Sequence, residues 1–199
     1  MLSLTSVAPT PSNGQYHAVQ FYGTEERLFS TVSAFLAEGL IAGEPAMIIA
    51  PAGHREGMLG QLSARLIHVE QARKSGDLLV LDADDVLALF MVDGAPDPDL
   101  FEANVGRFVD QVLQGRRDTV LRAYGGMVDI LWKEGKTDAA IKLEILWNTL
   151  SSRYGLALLC GYAMGSFFKH VPQLQDICHH HTHVFGPEYM RPCNRLLTH

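Results

Sequence analysis

The chain has 199 residues, 47% of them hydrophobic and 19% charged, with a formal net charge of −6. This composition suits one folded domain with a full core, and it excludes a sequence-independent nucleic-acid binder, which needs a basic stripe. The longest apolar runs, 46–50 and 156–160, are strand-sized and too short for a helical membrane span. No charged leader followed by an apolar run opens the chain, so no secretory signal is expected. Cys160, Cys178 and Cys193 are odd in number and lack a CxxC spacing, which reads as reduced thiols of a cytoplasmic protein.

Residues 1–15 mix Ser, Thr, Pro, Asn and Gly without periodicity and are expected to form a flexible arm. Residues 17–22 (HAVQFY) read as the first strand. Gly23-Thr24 turns it into a helix capped by Thr24, with Glu25 and Glu26 at the positive end of its dipole. Leu28, Val32, Phe35 and Leu36 give that helix one apolar face, and Gly39 marks its end. Residues 45–50 form a second strand, apolar throughout and therefore covered on both faces. A helix follows with Met58, Leu59, Leu62 and Leu66 on one side. The third strand, 78–82, runs into the acidic cluster Asp82, Asp84 and Asp85 and a short apolar helix over 86–92. Asp97-Pro98 is a cap with proline at the first helical position, and Phe101, Val105, Phe108 and Val112 form the buried stripe of the next helix.

Residues 119–124 alternate like a half-buried strand, with Arg122 toward its carboxyl end, and Gly125-Gly126 breaks it. Met127, Ile130 and Leu131 recur at helical spacing up to Gly135. Thr137 or Asp138 caps a further helix with the stripe Leu143, Leu146, Trp147 and Leu150. Residues 156–163 are another apolar strand, and a last helix starts at Val171, with Leu174, Ile177, Cys178 and His181 sharing a face. Strands separated by helices predict an α/β fold: a three-layer sandwich with a mainly parallel central sheet and right-handed crossovers. One domain is expected over 16–185, followed by a tail over 186–199.

The candidate chemistry is polar groups at strand ends. The Gly-x4-Gly-Lys-Ser/Thr pattern is absent, so phosphates have no seat; Asp82 stands either where a magnesium-holding acid would or as a helix cap. No Gly-x-Ser-x-Gly elbow occurs. In the run CHHHTH, His179 and His183 stand at i, i+4 and Cys178 and His181 at i, i+3, both able to share a metal on a helix. The alternative has His181 facing inward and hydrogen-bonded, with His179 and His180 solvated. Arg122, in a core strand, needs a partner, because an unpaired buried charge is costly. Asp129 and Glu144, each beside an apolar helix face, are the candidates. Arg122 is then either one half of an internal ion pair or a ligand-facing group at the sheet's carboxyl edge. Tyr22, Tyr124 and Tyr162, at the same edge, line an aromatic pocket with Trp147.

The order HAVQFY, LVLDADDVLALFMVDGAPDPDLF, RAYGGMVDILWKEGKTDAAIKLEILWN, LLCGYAM and ICHHHTHV resembles the MEDS domain, the sensory domain of methanogen and methylotroph regulators of the dichloromethane-regulator type. The resemblance implies a RecA/KaiC-like fold that lacks the phosphate loop and a role in sensing small hydrocarbon derivatives. It places motif positions on His17, Gln20, Phe21, Tyr22, Arg122, Tyr124, Gly125, Met127, Asp129, Trp132, Glu144, Trp147, Asn148, Cys160, Tyr162, Cys178, His181 and His183. Gly126 stands where the family pattern has an acid. No helix-turn-helix or kinase segment is attached, so the signal is expected to pass to a separate regulatory protein. The expectation is a non-catalytic, cytoplasmic sensory domain without cofactor, nucleic-acid or membrane contact. It binds a small, mostly apolar or hydrocarbon-derived ligand through His17, Tyr22, Arg122, Tyr124, Asp129, Glu144, Trp147, Tyr162 and His181. The alternatives are an interaction module with a vestigial nucleotide site, or a metal protein using Cys178, His179, His181 and His183.

Overall fold

Short apolar strands buried on both faces pair well only inside a sheet covered by helices on each side, and the computed structural model has that arrangement. It describes residues 16–166 and 171–186, without the side chains of 166 and 171–174; the expected arm, Phe167, His170, the Leu174 side chain and the tail from 187 onward lie outside the described residues. In chain order the elements are β1 (Tyr16–Tyr22), α1 (Glu25–Ile41), β2 (Ala46–Ala50), α2 (Ala52–Ala64), α3 (Val69–Ser75), β3 (Leu78–Asp82), α4 (Ala83–Ala88), β4 (Met91–Val92), β5 (Ala95–Pro96), α5 (Pro98–Leu113), β6 (Arg122–Gly125), α6 (Met127–Lys133), α7 (Thr137–Tyr154), β7 (Ala157–Ala163), α8 (Val171–His179) and β8 (His183–Phe185). Six strands form one sheet in the order β3-β2-β6-β7-β1-β8, every neighbouring pair parallel.

Strand alternation divides the interior into two cores. Tyr16, Ala18 and Tyr22 of β1, Ile48 of β2 and Tyr124 of β6 face α1, α2 and α3, against Leu28, Val32, Phe35, Met58 and Leu62. Val19 and Phe21 of β1, Ala123 of β6, and Leu158, Cys160 and Tyr162 of β7 face the opposite layer, where Val105, Leu131, Leu143, Trp147 and Ile177 pack. The sheet between them is the three-layer sandwich expected from the sequence.

Several local expectations need correction. Helix α3 was not anticipated; it ends at Gly76, whose φ of 80° suits glycine. The helix expected over 86–92 lies earlier, at α4, because Asp82 caps it by accepting hydrogen bonds from the backbone N–H groups of Asp84 (2.9 Å) and Asp85 (3.3 Å). Beyond it Asp93-Gly94 turns a two-stranded hairpin, β4–β5, through positive φ at both residues, the usual behaviour of an Asp-Gly pair. Strand β6 starts at Arg122, so this residue lies at the amino edge of the sheet, not its carboxyl edge. It pairs with Ala46 and Ala157, and its N–H donates to the Pro45 carbonyl.

Candidate functional site

The carboxyl edge, where α/β folds often bind phosphates, is occupied by the protein's own polar pairs. Asp82 is held by Arg55 at 2.7 Å as well as capping α4. The Tyr22 hydroxyl donates to Asp129 Oδ2 at 2.6 Å, the Ala163 N–H donates to Asp129 Oδ1 at 2.9 Å, and Lys133 Nζ lies 2.8 Å from Asp129 Oδ2. Tyr124 is buried beside Gly161, where a Cβ would stand 2.9 Å from its hydroxyl. The tyrosines do reach the carboxyl ends of their strands, as expected, but Tyr22 is spent on Asp129 and Tyr162 points elsewhere.

Arg122 is paired with neither of the acids expected. Its Nε donates to Glu44 Oε2 (2.7 Å), and its Nη1 donates to the Phe35 carbonyl (2.9 Å) and to Glu38 Oε2 (3.3 Å). The guanidinium lies over the Phe35 ring at 5.3 Å, and its side chain fills the space that a Cβ on Gly39 would need. The alternation of residues 119–124 gave the faces correctly but not where pairing starts, which moves Arg122 to the opposite edge from Asp129.

The polar residues that do converge sit beneath α7, on the α5–α8 side of the sheet. His17 (β1), Cys160 (β7), Glu144 (α7) and His181 (just past α8) bring one donor atom each to within 4.8 Å of the others, and all four are buried. Glu144 Oε2 lies 3.3 Å from His17 Nε2, 3.4 Å from His181 Nε2 and 3.5 Å from Cys160 Sγ, and His17 Nε2 is 3.4 Å from that sulfur. Tyr162 donates to the other carboxylate oxygen, Glu144 Oε1, at 2.8 Å. The two imidazole rings are 4.1 Å apart, centroid to centroid. An outer ring of contacts fixes them. His17 Nδ1 meets Asn148 Oδ1 at 2.9 Å, Asn148 Nδ2 donates to the His180 carbonyl at 2.9 Å, and His181 Nδ1 meets the Ile177 carbonyl at 2.7 Å. Thr182 completes the frame: its N–H and hydroxyl both donate to the His17 carbonyl, at 2.7 and 2.9 Å.

The electrostatics of this centre are contradictory. Burial disfavours the Glu144 carboxylate, while the charge and hydrogen bonds of His181 and His17 hold it well below the usual carboxylate range. Burial, reinforced by His181, in turn pushes His17 down, toward the neutral ring. Burial and the neighbouring Glu144 push the Cys160 thiol up, so it keeps its proton.

Of the expected ligand-binding residues, His17, Glu144, Tyr162 and His181 thus share one centre, with Trp147 on the adjoining face of α7. Tyr22 and Asp129 bond to each other, and Arg122 stands apart. Spacing alone had not assigned Cys160 or Asn148. The signals were their phase: Cys160 lies between Leu158 and Tyr162 on one strand face, and Asn148 is one helical turn beyond Glu144. The metal set proposed from the histidine run is not assembled. Helix α8 ends at His179, so His179 and His183 share no helix face. His179 is exposed, and His183 stacks on Tyr16 at 4.8 Å, on the other side of the sheet from His181. Cys178 is disulfide-bonded, not the reduced thiol expected. Of the histidines in that run His181 alone is buried, together with Cys178, which matches the second reading of the run.

Fold and centre together define an α/β domain whose concentrated polar chemistry is buried between sheet and helix, with no loop built to cradle phosphate among the described residues. The family model of MEDS, the MEthanogen/methylotroph, DcmR Sensory domain, matches residues 16–182, and the chain belongs to that sensory-domain family. No curated protein matches the chain.

Proposed function

We propose that the chain is a non-catalytic sensory domain that takes up a small, mostly apolar molecule at the centre beneath α7 and passes its occupancy to a separate protein. The observation that carries this reading is the convergence of His17, Glu144, Cys160 and His181 from four separate elements. A centre built that way changes the seating of α7, and of the segment after α8, when its contents change. Membership of a sensory family supports the role. The absence of a phosphate loop and the engagement of Asp82 by Arg55 support a non-catalytic reading.

The surroundings suit a ligand with an apolar body and one polar group. Phe21 and Trp132 pack on Tyr162 at 6.0 and 5.7 Å, and Phe101 packs on Trp147 at 5.3 Å, so aromatic rings border the polar atoms. The test uses short-chain alcohols, ketones and halomethanes as probes, read by melting temperature and by emission of Trp132 and Trp147. A supporting outcome is a saturable rise in melting temperature with an emission change, lost in Glu144→Gln and kept in the exposed-site control His179→Ala. A response that survives Glu144→Gln unchanged places the ligand elsewhere, and magnesium-dependent ATP turnover abolished by Asp82→Asn overturns the non-catalytic reading.

A further inference from the structure

The hydrogen atoms at this centre can be assigned from its outer contacts. Asn148 Nδ2 faces the His180 carbonyl, which can only accept, so the amide orientation is fixed and Asn148 Oδ1 faces His17. An oxygen there requires His17 Nδ1 to carry the hydrogen. The Ile177 carbonyl imposes the same tautomer on His181. In each neutral ring Nε2 is therefore a bare lone pair, and both lone pairs face Glu144 Oε2, itself an acceptor. Tyr162 already serves Oε1. Among the facing atoms the Cys160 S–H supplies one hydrogen for three acceptors, and His181 Nε2 is a buried nitrogen without a hydrogen-bond partner. Without an ion, one protonated ring would pair with Glu144 Oε2 and leave the other ring's lone pair to the Cys160 S–H; protonating both would bury two imidazolium ions 4.1 Å apart against one carboxylate.

We propose that His17 Nε2, His181 Nε2, Glu144 Oε2 and Cys160 Sγ bind one divalent transition-metal ion of the zinc class. This rests on the reading above and names the polar anchor of the same centre. Three observations support it. Four of the six donor–donor distances, 3.3 to 3.5 Å, match the edges of a tetrahedron, and the other two lie within 4.8 Å; metal bonds of about 2.0–2.3 Å give edges of about 3.3–3.8 Å. The donor set of two imidazoles, a thiol and one carboxylate oxygen selects zinc-like ions over magnesium or calcium, which prefer all-oxygen shells. The Nδ1–H bonds to Asn148 and the Ile177 carbonyl are the outer contacts that orient metal-binding imidazoles, and the Tyr162 hydroxyl does the same for the carboxylate.

Charge balance is compatible with the ion. The ion displaces the Cys160 proton, which leaves to solvent as the metal–sulfur bond forms. Thiolate and carboxylate then carry two negative charges against the ion's two positive ones, and both rings stay neutral. The loaded centre is formally uncharged, as the metal-free centre with a neutral Cys160 thiol and an ionised Glu144 is only when a single ring is an imidazolium.

The test is cobalt(II) titration of chelator-treated full-length protein, with folding followed by circular dichroism. The expected result is one ion per chain, visible d–d bands of tetrahedral intensity and a near-ultraviolet thiolate-to-cobalt charge-transfer band. Cys160→Ser should lose the charge-transfer band, and His181→Gln should weaken binding at least tenfold, while His179→Ala and His183→Ala bind as wild type. If Cys160→Ser does not fold, the charge-transfer band of the wild-type protein decides thiolate ligation by itself. Folded wild-type protein that gives no stoichiometric cobalt spectrum overturns the proposal, as does a spectrum lost in His179→Ala or His183→Ala and kept in His181→Gln. The two readings fail separately. Organic probes that still shift the melting temperature without cobalt binding leave the sensory reading standing, whereas cobalt binding without any probe response leaves the metal site and removes the organic ligand.

Discussion

The molecule buries charge in two places and treats it in opposite ways. At the amino edge Arg122 spends its donors on Glu44, Glu38 and the Phe35 carbonyl, and both acids keep part of their surface in water: their side chains are 25% and 41% exposed. Beneath α7, Glu144 is fully buried among groups that mostly accept. The first cluster is complete and holds α1 to β6. The second has more lone pairs than hydrogens. A surplus of donors matched by solvated acids is what a structural ion pair requires; a buried surplus of acceptors points to something else being received. Both contain a residue that the family resemblance singled out, so that expectation alone does not separate support from function.

The largest effect expected from breaking this comparison is at Glu144. Glu144→Leu leaves the Tyr162 hydroxyl and both imidazoles facing hydrocarbon and should cost about 3–5 kcal/mol in urea unfolding. Glu144→Gln sharpens the point. Its amide can donate to the imidazole Nε2 atoms while its oxygen still accepts from Tyr162, so in chelator-treated protein it should stay within about 1 kcal/mol of wild type. If the rings are instead imidazoliums, Glu144→Gln should be nearly as damaging as Glu144→Leu, and the assignment of the hydrogens fails.

A smaller loss is expected from Arg122→Met, about 1–3 kcal/mol, because the acids it abandons can turn to water. Responses to organic probes and to cobalt should persist in the folded fraction, measured under the same conditions as wild type. Loss of either response without loss of stability would mean that the cage serves the ligand after all.

The smallest effect is absent at neutral pH. Burial pushes the Tyr16 phenol, beside the Arg122 cage, up to about 12, with Arg122 opposing and Glu38 adding to the shift. Its folded pKa is above the unfolded value of about 10, so above pH 10 the unfolded chain releases a proton that the folded chain retains. The Tyr16 contribution to stability should be flat below about pH 9 and fall between about pH 10 and 12, with phenolate absorbance appearing together with unfolding. Phenolate that titrates near pH 10 in a still-folded protein would show that Tyr16 is better solvated than its surroundings suggest.

Much of the fold was legible because its signals are local. Apolar runs gave β2, β3 and β7; Asp97-Pro98 gave the start of α5; and helical stripes gave α1, α5 and α7. The errors arose where a local signal has two readings. Asp93-Gly94 is a hairpin signal that a helical reading of 86–92 overrode, and the three-residue β8 is too short to show a period. Arg122 was misplaced because alternation reports faces, while strand ends are set by the neighbouring strands. The centre was half legible. Glu144, Tyr162 and His181 were named from local pattern and His17 through family resemblance, but nothing in the local pattern joined them into one centre. Cys160 and Asn148 gain meaning only when β1, β7 and α7 come together in space.

Thr182 carries one more consequence, for how the chain reaches this state. Through it, and through β8, residues near 182 bond to the strand at residue 17, a contact spanning 165 positions. Until that closing segment docks, β1 is a sheet border, seven residues long and buried along its whole length in the finished protein. An apolar border of that kind is a template for pairing with other chains. Growing from the ribosome, the polypeptide exposes that border until its last described strand has emerged, so a chain cut short of residue 180 would carry an open, adhesive edge, and the segment that delivers His181 to the centre also shields the sheet from aggregation.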